Sequence, residues 1–355
     1  MRNSPLSLLW RFDFLYLFML QLFCKIRGDR TTSEKGAIAL DRKKKGLFVG
    51  LCTKDILYYT DELPAHNHKA KTGDFAVYIG GPAANAAITY AALGGDATLA
   101  TCLGDSMESR AMIEELRGYG VQVLNYSDYD TLPNTACIVV SSDGKRTILS
   151  GQHSFEVNRN FDLSDYDFVL FDCNQQEISL DILAGFGETE GKRAERKSIV
   201  LDAGSVKPNI EKFLARADIV IASEDFKDGA GNTVFEMECN AVHKAMTRGE
   251  RSILYRGAEK GQGETPGLPE MAEAKGEAGE DAKGKDRKKL PVEAVAAVDT
   301  LGAGDIFHGA FCYGYFEQGD PCEEALSFAG KVASESVKYR GPREWIKHFS
   351  VTGKM

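Results

Sequence analysis

Asp299-Thr300-Leu301-Gly302-Ala303-Gly304-Asp305 brings two acidic residues and two glycines together over seven positions. That combination suits moving a proton beside a bound anion. Gly302 and Gly304 carry no Cβ, so an anion can come close to the backbone amides. Downstream, Phe307, Ala310, Phe311, Gly314 and Tyr315 fall at the i, i+3, i+4, i+7, i+8 spacing of a buried helical stripe, and Gly319 with Pro321 stops it. A short apolar run, Val292 to Val298, leads in from the other side. The turn is therefore expected to be a helix N-terminus, with unpaired N–H groups and the positive end of the helix dipole facing outward. A carboxylate placed there would repel phosphate rather than hold it. Asp305 makes sense if it takes a proton from a hydroxyl while the amides of Gly302, Ala303 and Gly304 hold the phosphoryl group under attack. The competing interpretation is a tight connection in which Asp305 only caps the helix.

Other candidates stand where apolar runs end. Gly46 to Leu51 has the pattern of a buried strand, and Asp55 lies just past it, where open α/β sheets bind their ligands. A solvated turn residue is the alternative there. Gly80-Gly81-Pro82-Ala83-Ala84-Asn85 opens an alanine-rich helix that runs to Leu93, with Pro82 suited to the first turn. The glycines let a hydroxyl-bearing ligand approach the backbone, and the Asn85 carboxamide can both donate to and accept from it. Ordinary helix-start chemistry would use the same residues.

The elements that must position these groups follow from the remaining pattern. Ala97 to Leu103 suits a strand and Met107 to Arg117 a helix. Residues 56 to 80 break into short alternating stretches, and Ala136 to Ser142, Asp143-Gly144 and Lys145 to Leu149 have the form of a hairpin. Segments of about 56–80 and 135–152 are thus expected to form a small β-sheet lid, with Arg146 either on its solvated face or reaching toward phosphate. Phe168 to Asp172, Ser198 to Ala203, Ile219 to Ser223 and Ser252 to Tyr255 are uniformly apolar and mostly separated by helical segments. Such strands belong to a parallel sheet covered on both faces. The expected fold class is α/β, with a mainly parallel central sheet of about eight strands and ligands at their carboxyl ends.

Composition narrows the function. The 355 residues carry a net charge of −9 with scattered basic residues, which excludes the clustered positive surface that nucleic acid requires. Eight cysteines stand singly, without Cys-x-x-Cys pairs or neighbouring histidines, so they are expected to be reduced thiols and no metal ligands are assigned. Residues 1–45 are expected to be a hydrophobic tail and basic linker outside the fold, and 46–355 the functional domain. The uncharged stretch from Phe14 to Cys24 is eleven residues long, too short to span a bilayer, and no small-x-small site marks a signal peptide. Gly263 to Lys289 is mostly Glu, Lys, Ala and Gly and cannot bury enough surface to offset its ordering entropy, so about 263–289 is expected to be a disordered insertion.

From about Gly46 to Ile346 the chain resembles the PfkB, or ribokinase-type, carbohydrate kinases, and in particular the ketohexokinase and sulfofructose kinase branch. The resemblance is carried by Gly50-x-x-x-x-Asp55, Gly80-Gly81-x-x-x-Asn85, Lys145 to Leu149, Ala258-Glu259-Lys260-Gly261, and Asp299 to Asp305 with Phe307-His308-Gly309-Ala310. It implies a ribokinase-like three-layer sandwich, and ATP-dependent phosphorylation of a primary hydroxyl on a small sugar, with a fructose-like or sulfofructose-like ketose favoured. By the same resemblance Asp305 is the base, and the Gly302 to Gly304 amides are the anion hole. Asp55, Gly80, Gly81 and Asn85 hold the sugar. Arg146, Glu224, Ala258, Glu259, Lys260, Gly261, Thr300, Gly302 and Gly304 line the nucleotide. Mg2+ arrives with ATP, a monovalent cation has room, and the location is cytoplasmic. Many relatives have Asn-x-x-Glu where this chain has Ser223-Glu224-Asp225-Phe226, so a Glu that helps organise magnesium is missing. The alternatives are a nucleoside kinase of the same fold and a sugar-binding regulator without turnover. A homodimer is expected through the lid, with Leu57, Tyr58, Tyr59, Ile138 and Val140 buried against the partner and a residue from 61 to 69 reaching the partner's site.

Overall fold

In the computed structural model, which describes residues 42–142, 146–151, 153–186, 197–257 and 287–349, the uniformly apolar runs become strands of one nine-stranded sheet, parallel as expected except for Ser252 to Tyr255, which pairs antiparallel with both neighbours. Its order is β13 (Lys288–Leu290), β12 (Arg251–Arg256), β11 (His243–Arg248), β10 (Ile219–Ser223), β9 (Ser198–Ala203), β8 (Phe168–Phe171), β1 (Lys45–Val49), β4 (Asp96–Thr101) and β5 (Val121–Asn125). Strands β11 to β5 in that order run parallel; β12 and β13 are antiparallel additions at one edge. Alternate residues feed two cores, as the two-residue period of a strand requires. Phe48, Phe168 and Leu170 face the helices α1 (Pro82–Leu93), α2 (Met107–Gly118), α5 (Ala303–Cys312) and α6 (Cys322–Ser336). Leu47, Val49, Val169 and Phe171 face α3 (Gln176–Gly185) and α4 (Ile210–Leu214). The three layers expected from the pattern are present, with nine strands rather than eight.

Three strands escaped the sequence pattern. β5 is short, β11 reads His-Lys-Ala-Met-Thr-Arg, and β13 overlaps the end of the stretch assigned to the insertion. The apolar run Val292 to Val298 forms no strand, and Val298 is 65% exposed. β1 begins at Lys45, where the backbone N–H donates to Asp167 at 2.7 Å, so the fold takes in the last expected linker residue. Residues 1–41, the Asp143-Gly144 turn and the rest of the 263–289 insertion up to residue 286 lie outside the described residues.

The lid is a separate four-stranded sheet, ordered β3 (Phe75–Gly80), β2 (Thr53–Thr60), β6 (Thr135–Ser141) and β7 (Arg146–Gly151). It starts three residues earlier than expected, so Asp55 sits on β2 rather than in a loop. The register puts Asp55, Leu57 and Tyr59 on one face with Ala136, Ile138 and Val140. Leu57, Ala136 and Ile138 are buried there, with Tyr59, Val140 and Leu301 packed against them. This corrects the expectation for a partner surface. Of the five residues named, only Tyr58 points outward, because Asp55 fixes the inward face and the period of two does the rest. The outer face carries Ile56, Tyr58, Phe75, Val77, Cys137, Val139 and Leu149 instead.

Candidate active site

α5 begins at Gly302 with φ 71° and ψ 5°, a left-handed conformation that a side chain would oppose. Asp299 braces the approach, its carboxylate accepting from the Leu301 amide at 2.9 Å and the Gly341 amide at 3.0 Å. No side chain caps the helix. Among the described residues the amides of Gly302, Gly304 and Asp305 have no acceptor, whereas the Ala303 amide turns to Thr300 O at 3.3 Å. The amides free of an acceptor among the described residues are thus those of Gly302, Gly304 and Asp305, and that of Ala303 is not one of them.

Asp305 lies in the first turn and accepts from Asn85 Nδ2 at 2.6 Å. Loss of water around its carboxyl, with Asp202 next in effect, pushes it up to about 7 against the lowering influence of Asn85 and His308. A base with that affinity is half ionised near neutrality, where proton abstraction is most effective. The groups behind it are buried. His308 Nδ1 lies 2.7 Å from Gly304 O and 3.4 Å from Asp202 Oδ2, and its Nε2 lies 3.2 Å from Ile221 O. Burial holds the Asp202 carboxyl well above the usual range, and nearby Asp172 adds to it.

α1 starts beside this turn. An added Cβ at Gly302 would lie 3.4 Å from Asn85 Nδ2, so the two helix starts face one another. Asp172, just past β8, accepts from the Ala83 amide at 3.1 Å and the Leu51 amide at 2.9 Å, fixing α1 to the end of β1. Asp55 is buried and accepts from Thr53 Oγ1 at 2.6 Å. Burial raises its carboxyl, with Thr53 and the Arg343 charge opposing. A Cβ at Gly80 would sit 1.9 Å from Asp55 Oδ2, so this glycine is required by the carboxylate itself. Arg343, which no sequence signal marked, is buried and donates to Ile79 O at 2.8 Å and Asn85 Oδ1 at 2.6 Å. Its charge interacts with Asp305 as well as Asp55, so the two acids expected to share a site do share one neighbourhood.

Two cavities adjoin these groups. One of about 310 Å³ runs beside Thr300 and Ala303 and is lined by Thr247, Ile253, Val292 and Phe307. The other, about 250 Å³, lies beyond Leu51 and is lined by Asn134, His153, Asn174, Gln175 and Glu177. Arg146 is not brought to Asp55: it is exposed on the outermost lid strand, level with Val140 and Tyr59. Glu224 is exposed and paired with Arg251. Ala258, Glu259, Lys260 and Gly261 lie outside the described residues. No cluster of three or more His, Cys, Asp or Glu among the described residues could hold a metal ion.

An open helix start, an acid in its first turn and a second glycine-led helix facing both make a candidate site for phosphoryl transfer at the end of an α/β sheet. The chain matches the model of the pfkB family carbohydrate kinases over residues 43–259 and 275–348. It is 25% identical to ketohexokinase of Mus musculus over 314 residues, covering 84% of this chain and 98% of the relative. Two solved structures share the fold. Ribokinase of Thermotoga maritima has a TM-score of 0.65 at 22% identity, covering 86% of this chain and 99% of that one. Ribokinase of Arabidopsis thaliana, complexed with ribose and ATP, has a TM-score of 0.59 at 19% identity, covering 87% and 99%. The chain belongs to the pfkB family of carbohydrate kinases. It is an ATP-dependent kinase with a ribokinase-like fold.

Proposed function

We propose that this kinase phosphorylates a primary hydroxyl of a small uncharged sugar, with a ketose favoured. The observation that carries the proposal is the contact between Asn85 and Asp305 beside the open amides of Gly302 and Gly304. The sugar hydroxyl gives its proton to Asp305 as its oxygen bonds to the terminal phosphorus of ATP, and the bond from that phosphorus to the bridging oxygen breaks to release ADP. The amides of Gly302, Gly304 and Asp305 hold the charge that develops on the phosphoryl oxygens. Asp55, Gly80, Gly81 and Asn85 hold the sugar, and the cavity beside Thr300 takes the nucleotide. Among the described residues, the lining of the cavity beyond Leu51 has amide and imidazole groups and Glu177 but neither Lys nor Arg, which favours a neutral sugar over a sulfonated one.

Magnesium enters on the ATP phosphates, which supply the ligands that the described residues lack as a cluster; bound there, it offsets phosphate charge. The place of action is the cytoplasm, where ATP is available. The assembly is a homodimer in which the outer faces of two lids cover one another. Phe75 and Leu149, 61% and 70% exposed, support this, since a sheet face of that character otherwise meets water. In that arrangement a residue from 61 to 69 reaches the partner's sugar site.

ADP release measured across ketoses, aldoses, sulfosugars and nucleosides tests the assignment. Turnover on a neutral ketose at least about tenfold above the others is expected, on the order of what one well-placed polar contact supplies. Preference for a nucleoside, or no turnover on any sugar, would overturn it.

A further inference from the structure

Arg343 stands at the junction of three elements. Its guanidinium donates to Ile79 O near the end of the lid strand β3, to Asn85 Oδ1 on α1, and to Pro342 O on its own turn. Guanidinium is a donor only. The Asn85 atom that faces it must therefore be the carboxamide oxygen, which leaves the nitrogen as the atom toward Asp305, at 2.6 Å. Without that neighbour the carboxamide could turn over. Its oxygen would then face Asp305 and favour the protonated, non-basic carboxyl.

We propose that Arg343 is a positioning residue for phosphoryl transfer: by locking the Asn85 carboxamide, it keeps Asp305 accepting a hydrogen bond on Oδ2 and leaves Oδ1 to take the sugar proton. This rests on Asp305 being the base. The other charged groups around the pair are fixed by the fold. Asp305 is faced by Asp202 and Asp172 from the strand ends and by His308 from its own helix. Arg343 is faced by Tyr119, Glu115 and Cys52 besides Asp305. Three of these, Asp202, Asp172 and Glu115, are acids, so Asp305 depends on the few groups that favour its ionised form.

The test is the pH profile of kcat/KM for the sugar that the wild-type enzyme uses best. Arg343→Met should lower kcat about tenfold and move the acid limb to higher pH by about half a unit or more, because the ionised base loses its donor. KM for ATP should stay within about twofold, since the nucleotide side is untouched. Arg343→Lys should shift the limb the same way by less, because lysine keeps the charge and loses the fork. If the arginine variants do not accumulate folded, Asn85→Ala, which leaves Arg343 in place, must move the limb in the same direction. An unmoved limb in folded variants, with kcat falling only in step with folded protein, would overturn the proposal and leave a merely structural role. Failure of the functional assignment looks different: the wild-type enzyme then turns over no sugar at all.

Discussion

Helices α2 and α5 begin in opposite ways. At α2, Ser106 is extended (φ −71°, ψ 170°), its hydroxyl accepts from the Ser109 amide at 3.1 Å, and the two hydroxyls meet at 2.8 Å. There the cap side chain occupies the Ser109 amide itself. At α5, Gly302 has no side chain to offer, and three amides stay open beside an acid of raised basicity. The glycine-led start of α1 lies between the two, since buried Asp172 occupies the Ala83 amide from behind. An orphan N–H costs about 1–3 kcal/mol once water is excluded. An uncapped start beside such an acid is what the proposed anion site requires, and the occupied start of α1 suits the neutral partner of the proposed reaction.

The strongest way to break this contrast is at the base. Asp305→Asn should lower kcat by about 10² or more while nucleotide affinity stays nearly unchanged, because a proton acceptor is lost and no binding group is. Single-turnover rates together with nucleotide titration decide it; retention of most turnover would remove Asp305 from the mechanism. In the wild-type enzyme the rate should fall as pH drops through about 7, where Asp305 takes up its proton. The same substitution should stabilise the fold. With its folded affinity raised, Asp305 binds a proton more readily folded than unfolded, so its contribution is lost as pH rises through 7. Asn removes that penalty, giving on the order of 2–4 kcal/mol at pH 8 and almost nothing near pH 4. Denaturant midpoints at the two pH values would check the sign.

Next in size is the pair that separates the two helix starts directly. Gly302→Ala forces a side chain into left-handed backbone and places a methyl 3.4 Å from Asn85 Nδ2. It should cost about 1 kcal/mol of stability and about tenfold or more in kcat, since the open amides shift. Ser106→Ala should cost about the same stability, ~1 kcal/mol, with kcat unchanged. Equal effects of both substitutions on kcat would mean that the start of α5 is no more functional than that of α2.

Much of the site could be read because it is local. Asp299 to Asp305, and Gly80 to Asn85, each hold turn, helix start and reactive side chain within seven residues, so type and spacing suffice. Most of the parallel strands were legible for a similar reason: a strand buried on both faces tends to be apolar throughout. What stayed hidden depends on contacts across the chain. Arg343 lies 258 positions from Asn85, in a Gly-Pro turn that resembles solvated surface. β11 carries His243 and Lys244, which read as exposed and are buried only because β10 and β12 flank them. Four of the five residues assigned to the outer lid surface face inward, because alternation gives two faces and only the inward turn of Asp55 tells which is which.

The smallest effect is expected at Glu224, two positions before Phe226, where the family resemblance expects a magnesium-organising Glu. Here it pairs with Arg251 at the surface, with side chains 42% and 54% exposed. Exposed ion pairs contribute only about 0–1 kcal/mol, since solvent screening and side-chain entropy offset most of the attraction. Glu224→Gln should therefore change stability by less than about 1 kcal/mol and KM for ATP by less than about twofold. That weakness is what makes the measurement informative. A pair so loosely held can release its carboxylate at little cost, and a nucleotide carrying a divalent cation would be the natural recipient. A KM for ATP raised about tenfold, with a larger loss at low magnesium, would mean that Glu224 leaves Arg251 in the loaded enzyme and that a second open group, beyond the start of α5, serves the phosphates.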